Sequence, residues 1–298
     1  MKMDQTEDGF EDRLRRLERL LQSYGTVALG FSGGVDSTFL AAVLARCMPE
    51  RALLVHMDTP FVGTPERESF EREAKAFGLP VAVIEFDPFS DADISANPPD
   101  RCYFCKRADF VRIAAEAQAR GYDVVIDGSN ADDVADERPG MRAMLELGVR
   151  SPLREAGWHK EEERELLHAW GFEVWNMPAE ACLATRIPAG EPVTHKKIEL
   201  VRACEDHLHE LGLRQVRARL VAGQIRVQAA PDDLTLFTKM DTPAPDAAGM
   251  PSDAGECEAV PRAVPLPASV IEAFQNFGAS DIRPYATLYR YGSTSRSA

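Results

Sequence analysis

The sequence predicts an α/β protein: a doubly wound parallel sheet followed by a small C-terminal α+β domain. Three observations predict it. Short apolar runs at 26–31, 53–57, 81–86 and 124–126 alternate with stretches of helical periodicity, the pattern of a parallel sheet covered by helices on both faces. Asp58 and Asp127 stand where strands end, at the edge where such sheets open their ligand crevice. After Pro188, Gly190 and Pro192 the pattern changes to a helix and an alternating hairpin, so 187–194 reads as a linker between domains at 1–188 and 189–298.

Each element has its own reason. Phe10, Leu14, Leu17 and Leu21 share one helical face and lead into the first strand. Residues 64–77 and 101–120 read as helices between strands, 160–170 as a further helix, and 172–175 as a short strand. A helix over 196–211 precedes strands at 215–221 and 224–228, joined by Ala222 and Gly223 in hairpin fashion. Residues 241–267 are dense in Pro, Ala, Asp and Gly and read as a flexible loop, before a helix near 268–277 and a strand near 284–290.

Composition narrows the function. The 298 residues, 45% hydrophobic and 28% charged, suit an ordinary globular protein, and no apolar run approaches a membrane span. The acid-rich start of the chain shows no secretory signal, so a cytoplasmic protein is expected. A net charge of −14 repels nucleic acid. Arg outnumbers Lys 27 to 7, a bias that suits phosphate and carboxylate. In a cytoplasmic chain of this size the six cysteines are not expected to form a disulfide framework; Cys47 and Cys204 fall in helices as small core residues, and Cys257 lies in the low-complexity segment.

The most specific stretch is Ser32-Gly33-Gly34-Val35-Asp36-Ser37, between a buried strand and a helix beginning near Thr38. Adjacent glycines let backbone N–H groups approach an anion, and the helix N-terminus behind them adds a positive dipole end. The serines add donors, and the Asp36 oxygens suit a divalent cation. A Walker A loop is excluded because no Gly-Lys pair occurs, and the dinucleotide fingerprint is excluded because Gly30, Gly33 and Gly34 have the wrong spacing. The hexapeptide resembles the PP-loop of ATP pyrophosphatases, which implies cleavage of ATP to AMP and pyrophosphate through an adenylylated intermediate.

Cys102 and Cys105 form a C-x-x-C at a loop-to-helix junction beside Arg101, Lys106 and Arg107. That spacing fits a redox dithiol, a zinc half-site, an iron–sulfur half-site or a structural pair. Cys182 precedes Leu183, Ala184, Thr185 and Arg186, and Arg186 can stabilise a thiolate or hold a carboxylate.

With the PP-loop, the C-x-x-C and the Cys182–Pro188 stretch in one order, the chain closely resembles the ATP-dependent sacrificial sulfur transferases, the LarE family. Further matches are Asp127-Gly128-Ser129-Asn130-Ala131-Asp132-Asp133 and Val149 through Leu153, with weaker ones at 216–219 and 292–293. The resemblance implies a pyridinium mononucleotide substrate with two ring carboxylates. ATP activates a carboxylate, and sulfur displaces AMP to give a thiocarboxylate on the way to a nickel-pincer nucleotide. It implies that Ser32, Gly33, Gly34, Val35 and Ser37 hold ATP phosphates, that Asp36 binds magnesium, and that Gly128, Asn130 and Asp132 line the nucleotide crevice. Asp58 is expected either at the ribose or adenine or as a turn cap. Arg186, Arg217 and Arg219 are expected at the substrate, with Arg226 beside them. The sulfur comes either from Cys182 itself, leaving dehydroalanine, or from a [4Fe-4S] cluster on Cys102, Cys105 and Cys182; with all three cysteines present, the cluster type is expected. A homo-oligomer and a separate sulfur donor are further expectations. The family's acid before the C-terminal Gly-Ser pair is missing, since Arg290 and Tyr291 stand before Gly292 and Ser293. Competing readings are a PP-loop tRNA thiolase, which needs a basic RNA face, an ammonia-using synthetase, and a non-catalytic nucleotide- or metal-binding module.

Overall fold

The computed structural model describes residues 4–133, 139–179, 181–240 and 263–288. The chain divides into two compact units, Met1–Glu180 and Ala181–Ala298.

The first unit runs α1 (Asp4–Ser23), β1 (Val27–Gly30), α2 (Val35–Cys47), β2 (Ala52–Asp58), α3 (Thr64–Ala76), β3 (Val81–Glu85), α4 (Ala92–Ser95), α5 (Arg101–Ala119), β4 (Val124–Ile126), α6 (Pro139–Glu146), α7 (Pro152–Ala156) and α8 (Lys160–Ala169). The strands form one parallel sheet in the order β3-β2-β1-β4. Side chains alternate across it, as the two-residue period of a strand requires. Val27, Leu29 and Leu54 face a core with Leu17, Leu21, Phe39, Leu44, Trp158 and Leu167. Ala28, Leu53 and Val55 face Phe110, Ile113, Ala117, Met141 and Met144. Both faces are therefore covered, which is the doubly wound parallel arrangement expected from the strand and helix pattern. Because β2 and β4 lie on opposite sides of β1, the strand order reverses there. Ligand crevices of open α/β sheets form beside the carboxyl ends of strands at such a switch point.

Two local expectations are corrected in this unit. Helix α2 begins at Val35 rather than near Thr38, because extended Gly34 caps it and Thr38 N already bonds Gly34 O at 2.9 Å. Residues 172–175 form no strand; Glu173–Asn176 is a 3₁₀ turn. The turn closes on its own backbone, Trp175 N on Phe172 O at 3.3 Å and Met177 N on Val174 O at 2.9 Å, and the Arg164 guanidinium donates to the Trp175 and Met177 carbonyls.

The second unit contains α9 (His195–Glu210), β5 (Val216–Val221), β6 (Gln224–Ala229), α10 (Pro231–Phe237), β7 (Ala263–Pro265), α11 (Ala268–Asn276), β8 (Asp281–Ile282) and β9 (Tyr285–Leu288). Its sheet has the order β5-β6-β9-β7, with β8 also on β6. Ala222 (φ 50°) and Gly223 (φ 82°) make the turn between β5 and β6, with both central residues at positive φ, as a two-residue hairpin turn needs. Residues 263–265, expected within the loop at 241–267, instead pair antiparallel with β9 because buried Ala263 and Val264 complete its face. The remainder of that loop (241–262), Cys257, Gly292 and Ser293 lie outside the described residues. The unit boundary precedes the expected linker, so Cys182 falls in the second unit. Arg186 and Arg219 bind its segment to α9 and β5.

Candidate active site

The first unit builds one site at the switch point. After β1 the chain turns through Gly33 (φ 80°), and Ser32 Oγ, Gly34 N, Gly34 O and Ser37 Oγ close the turn with bonds of 3.1–3.3 Å. Helix α3 braces this loop from behind. Buried Ser69 donates to Gly33 O at 2.7 Å, and a Cβ at Gly33 would stand 2.6 Å from Phe70 N. Phe70 in turn stacks on His56 (3.7 Å between centroids, 12° between planes). The His56 Nδ1–H donates to Phe31 O at 2.9 Å, and burial pushes the pKa of His56 down, so the ring is neutral.

The segment after β4 approaches from the other side. A Cβ at Gly128 would lie 3.1 Å from Ser37 N, so glycine lets the β4 turn touch the start of α2. Asp127 is buried and accepts from Ser151 Oγ at 2.6 Å and from Ser129 Oγ. Buried Asn130 then reaches across: its Nδ2 donates to Asp36 Oδ1 at 3.0 Å and to Glu163 Oε1 at 3.2 Å. Lys160 Nζ holds the other Asp36 oxygen at 2.9 Å. Glu163 is fully buried, and its Oε2 has no hydrogen-bond partner among the described residues. Desolvation, with the Asp36 carboxylate second, pushes its pKa up.

The structure thus brings Ser32, Gly33, Gly34, Val35, Asp36, Ser37, Gly128 and Asn130 together. Asp132 lies beside them but caps α8: it accepts from Lys160 N at 2.8 Å and bonds His159 Nδ1 at 2.6 Å. Asp58 ends β2 in an ion pair with Arg67 at 2.8 Å, while Arg67 Nη2 donates to Thr59 O at 2.7 Å. Lys160 and Glu163 belong to the site but are missed by the sequence reading. The available signal is that Glu163 shares a helical stripe with Leu167 and Trp170, an acid on an apolar face.

In the second unit, exposed Cys182 caps the 3₁₀ turn Leu183–Arg186. The turn is fixed from below. Arg186, 2% exposed, forks onto Glu205 (2.7 and 2.9 Å) and donates to Ala181 O at 2.8 Å and Thr185 Oγ1 at 3.0 Å. Glu205 Oε1 also accepts from Ala218 N at 2.7 Å. Arg186 is therefore spent on the scaffold under Cys182, where a substrate contact had been expected. Arg217 and Arg219 share a face of β5, and register places Arg226 opposite Arg219. Arg217 is buried and donates to Val216 O at 2.8 Å; Arg219 holds Thr185 O at 3.0 Å and Gln228 Oε1 at 2.6 Å.

Cys102 is exposed and Cys105 half-buried on the first turn of α5, whose start is ordered by a bond from Arg101 to buried Asn97. Among the described residues no group of three or more His, Cys, Asp or Glu side chains is arranged to hold a metal ion. The first unit carries Cys102 and Cys105 and the second carries Cys182, so the three thiolates expected for an iron–sulfur cluster are divided between the two units. Among the described residues no helix is long and apolar enough to cross a membrane.

Fold and loop together define a PP-loop, ATP-dependent enzyme; the family model described as asparagine synthase matches residues 10–217. An uncharacterized Synechocystis protein, slr1717, is 35% identical over 75% of this chain and 85% of its own length. The pyridinium-3,5-bisthiocarboxylic acid mononucleotide synthase of Lactiplantibacillus plantarum is 33% identical over 67% of this chain and 72% of its own. An uncharacterized Methanocaldococcus jannaschii protein, MJ0830, is 28% identical over 65% and 73%. Within the PP-loop superfamily the chain belongs to the LarE family.

Proposed function

We propose that this protein uses ATP to activate a carboxylate of a pyridinium-3,5-biscarboxylic acid mononucleotide and then replaces the activated oxygen with sulfur. The observation that carries this reading is the pairing of a braced PP-loop, with Asp36 at its centre, with an exposed Cys182 on a rigid turn in a chain of this family. The loop N–H groups, the serines and the start of α2 would hold the ATP phosphates. Asp36 offers carboxylate oxygens at the rim of the site, a hard donor that fits Mg²⁺, which would shield charge on the phosphates there. A carboxylate oxygen of the substrate attacks the α-phosphorus, and the bond to pyrophosphate breaks. The acyl adenylate then has a leaving group that a bare carboxylate lacks.

The sulfur comes either from a [4Fe-4S] cluster that Cys102, Cys105 and Cys182 would hold or from Cys182 itself. In the second route the Cys182 thiolate attacks the acyl carbon, AMP leaves with the former carboxylate oxygen, and a thioester joins cysteine and substrate. Removal of the Cys182 α-proton breaks the Cβ–S bond, which releases the thiocarboxylate and leaves dehydroalanine. No outside oxidant or reductant is required. Arg219 and Arg226, opposite each other on β5 and β6, form a cationic pair suited to the substrate phosphate or second carboxylate, whereas buried Arg217 is held within the fold.

Release of AMP and pyrophosphate is measured with the pyridinium mononucleotide, with tRNA and with neither. The reading predicts release with the first and a product with oxygen replaced by sulfur. Release driven by tRNA would instead establish a thiolase, and no release would leave a binding module.

A further inference from the structure

We propose that Glu163 is a positioning residue for the ATP site: it fixes the Asn130 amide, and through it the inner oxygen of Asp36, in the orientation that receives a divalent cation. This rests on the reading of Asp36 as the cation-holding carboxylate.

The geometry is a relay with no spare donor. A primary amide has two N–H donors. The Asn130 amide places one on Asp36 Oδ1 and the other on Glu163 Oε1. The Asn130 carbonyl oxygen accepts from Asp132 N at 3.0 Å, so all three polar positions of this side chain are engaged. The two Asp36 oxygens are held differently. Oδ2 is held by Lys160, whose side chain is 33% exposed and rests on a flexible stem, whereas Oδ1 is held by buried Asn130. The inner oxygen is thus the one whose direction the fold determines, and Glu163 is the far anchor of that bond.

Packing alone gives no reason for a carboxyl here. Glu163 occupies the buried stripe of α8 with Leu167, where an apolar side chain would avoid the desolvation that a buried acid carries. Its Oε2 has no hydrogen-bond partner among the described residues, so the only bond the carboxyl makes there is the one through Oε1 to Asn130. Replacing Glu163 with leucine frees one amide hydrogen of Asn130 and lets the amide rotate away from Asp36. Glutamine keeps the acceptor for Asn130.

The test titrates Mg²⁺ against the full chain at a fixed concentration of the uncleavable analogue α,β-methylene-ATP, read by calorimetry beside a thermal melt. Loss of one hydrogen bond to a charged group shifts the Mg²⁺ midpoint of E163L upward by about tenfold, with the melt at or above that of the wild type. E163Q stays within about twofold of the wild type by the same reasoning. If E163L does not fold, E163M, unbranched like glutamate, takes its place with the same expected shift. An unchanged Mg²⁺ midpoint in the apolar variant, or an E163Q as weak as E163L, overturns the inference alone. Wild-type protein that binds the analogue without any dependence on Mg²⁺ overturns the reading of Asp36, and this inference with it.

Discussion

Replacing Gly33 with alanine separates the two demands that the loop places on this position. The first is conformational: φ is +80°, where an L-residue costs about 1–2 kcal/mol. The second is steric, because the new Cβ would meet the α3 backbone at 2.6 Å (Phe70 N) and 2.7 Å (Phe70 Cα). Backbone of a packed helix cannot rotate away as a side-chain tip can, so α3 must move. That movement also stretches the 2.7 Å bond from Ser69 to Gly33 O. Overpacking of this kind costs about 1–3 kcal/mol. Gly25 supplies the control, since it has φ +83° and nothing within 4 Å of a built Cβ. Urea denaturation should therefore show G25A losing about 1–2 kcal/mol, and G33A losing about 1–3 kcal/mol more than that. Calorimetry should show G33A losing ATP-analogue affinity while G25A keeps it. Equal losses for the two variants would refute the claim that α3 braces the loop.

Three further outcomes follow from other parts of the molecule. Removing Glu205 (E205A) leaves buried Arg186 without its counter-charge and should destabilise the second unit by about 3–5 kcal/mol in denaturant, with faster proteolysis near Cys182. Burial lowers the folded pKa of His56 below its unfolded value near 6.5, so its contribution to stability is complete above that value and is lost as pH falls through the folded pKa. Wild-type stability should drop more steeply than that of H56F between about pH 7 and pH 5, measured by denaturation at each pH. Burial pushes the Cys47 thiol up to about 11 and Cys204 up to about 12, so iodoacetamide at neutral pH should label exposed Cys102 and Cys182 before Cys47 and Cys204, read by peptide mass spectrometry.

The strands and the phosphate loop were legible because their signals are local. The apolar run into β1, two glycines and an apolar α2 stand next to one another in the chain, and so does the turn at Ala222 and Gly223. What escaped depends on contacts between distant residues. The 172–177 segment closes as a 3₁₀ turn whose Trp175 and Met177 carbonyls are held by Arg164 from another element. Arg186 carries no mark in the sequence that Glu205, nineteen positions away, occupies its fork. Residues 263–265 look like loop beside their Pro-rich neighbours and become a strand only through β9. Glu163 alone left a trace, an acid in an apolar stripe, but its meaning required Asn130 and Asp36 to be placed beside it.

The central claim is that a substrate carboxylate is adenylylated at the Asp36 loop and that sulfur then replaces the oxygen. It is tested most directly with pyridinium mononucleotide carrying oxygen-18 in its carboxylates. Mass spectrometry of the nucleotide products should find the label in the phosphate of AMP, with sulfur in its place on the pyridinium. Label retained wholly on the pyridinium, with AMP unlabelled, would contradict the account.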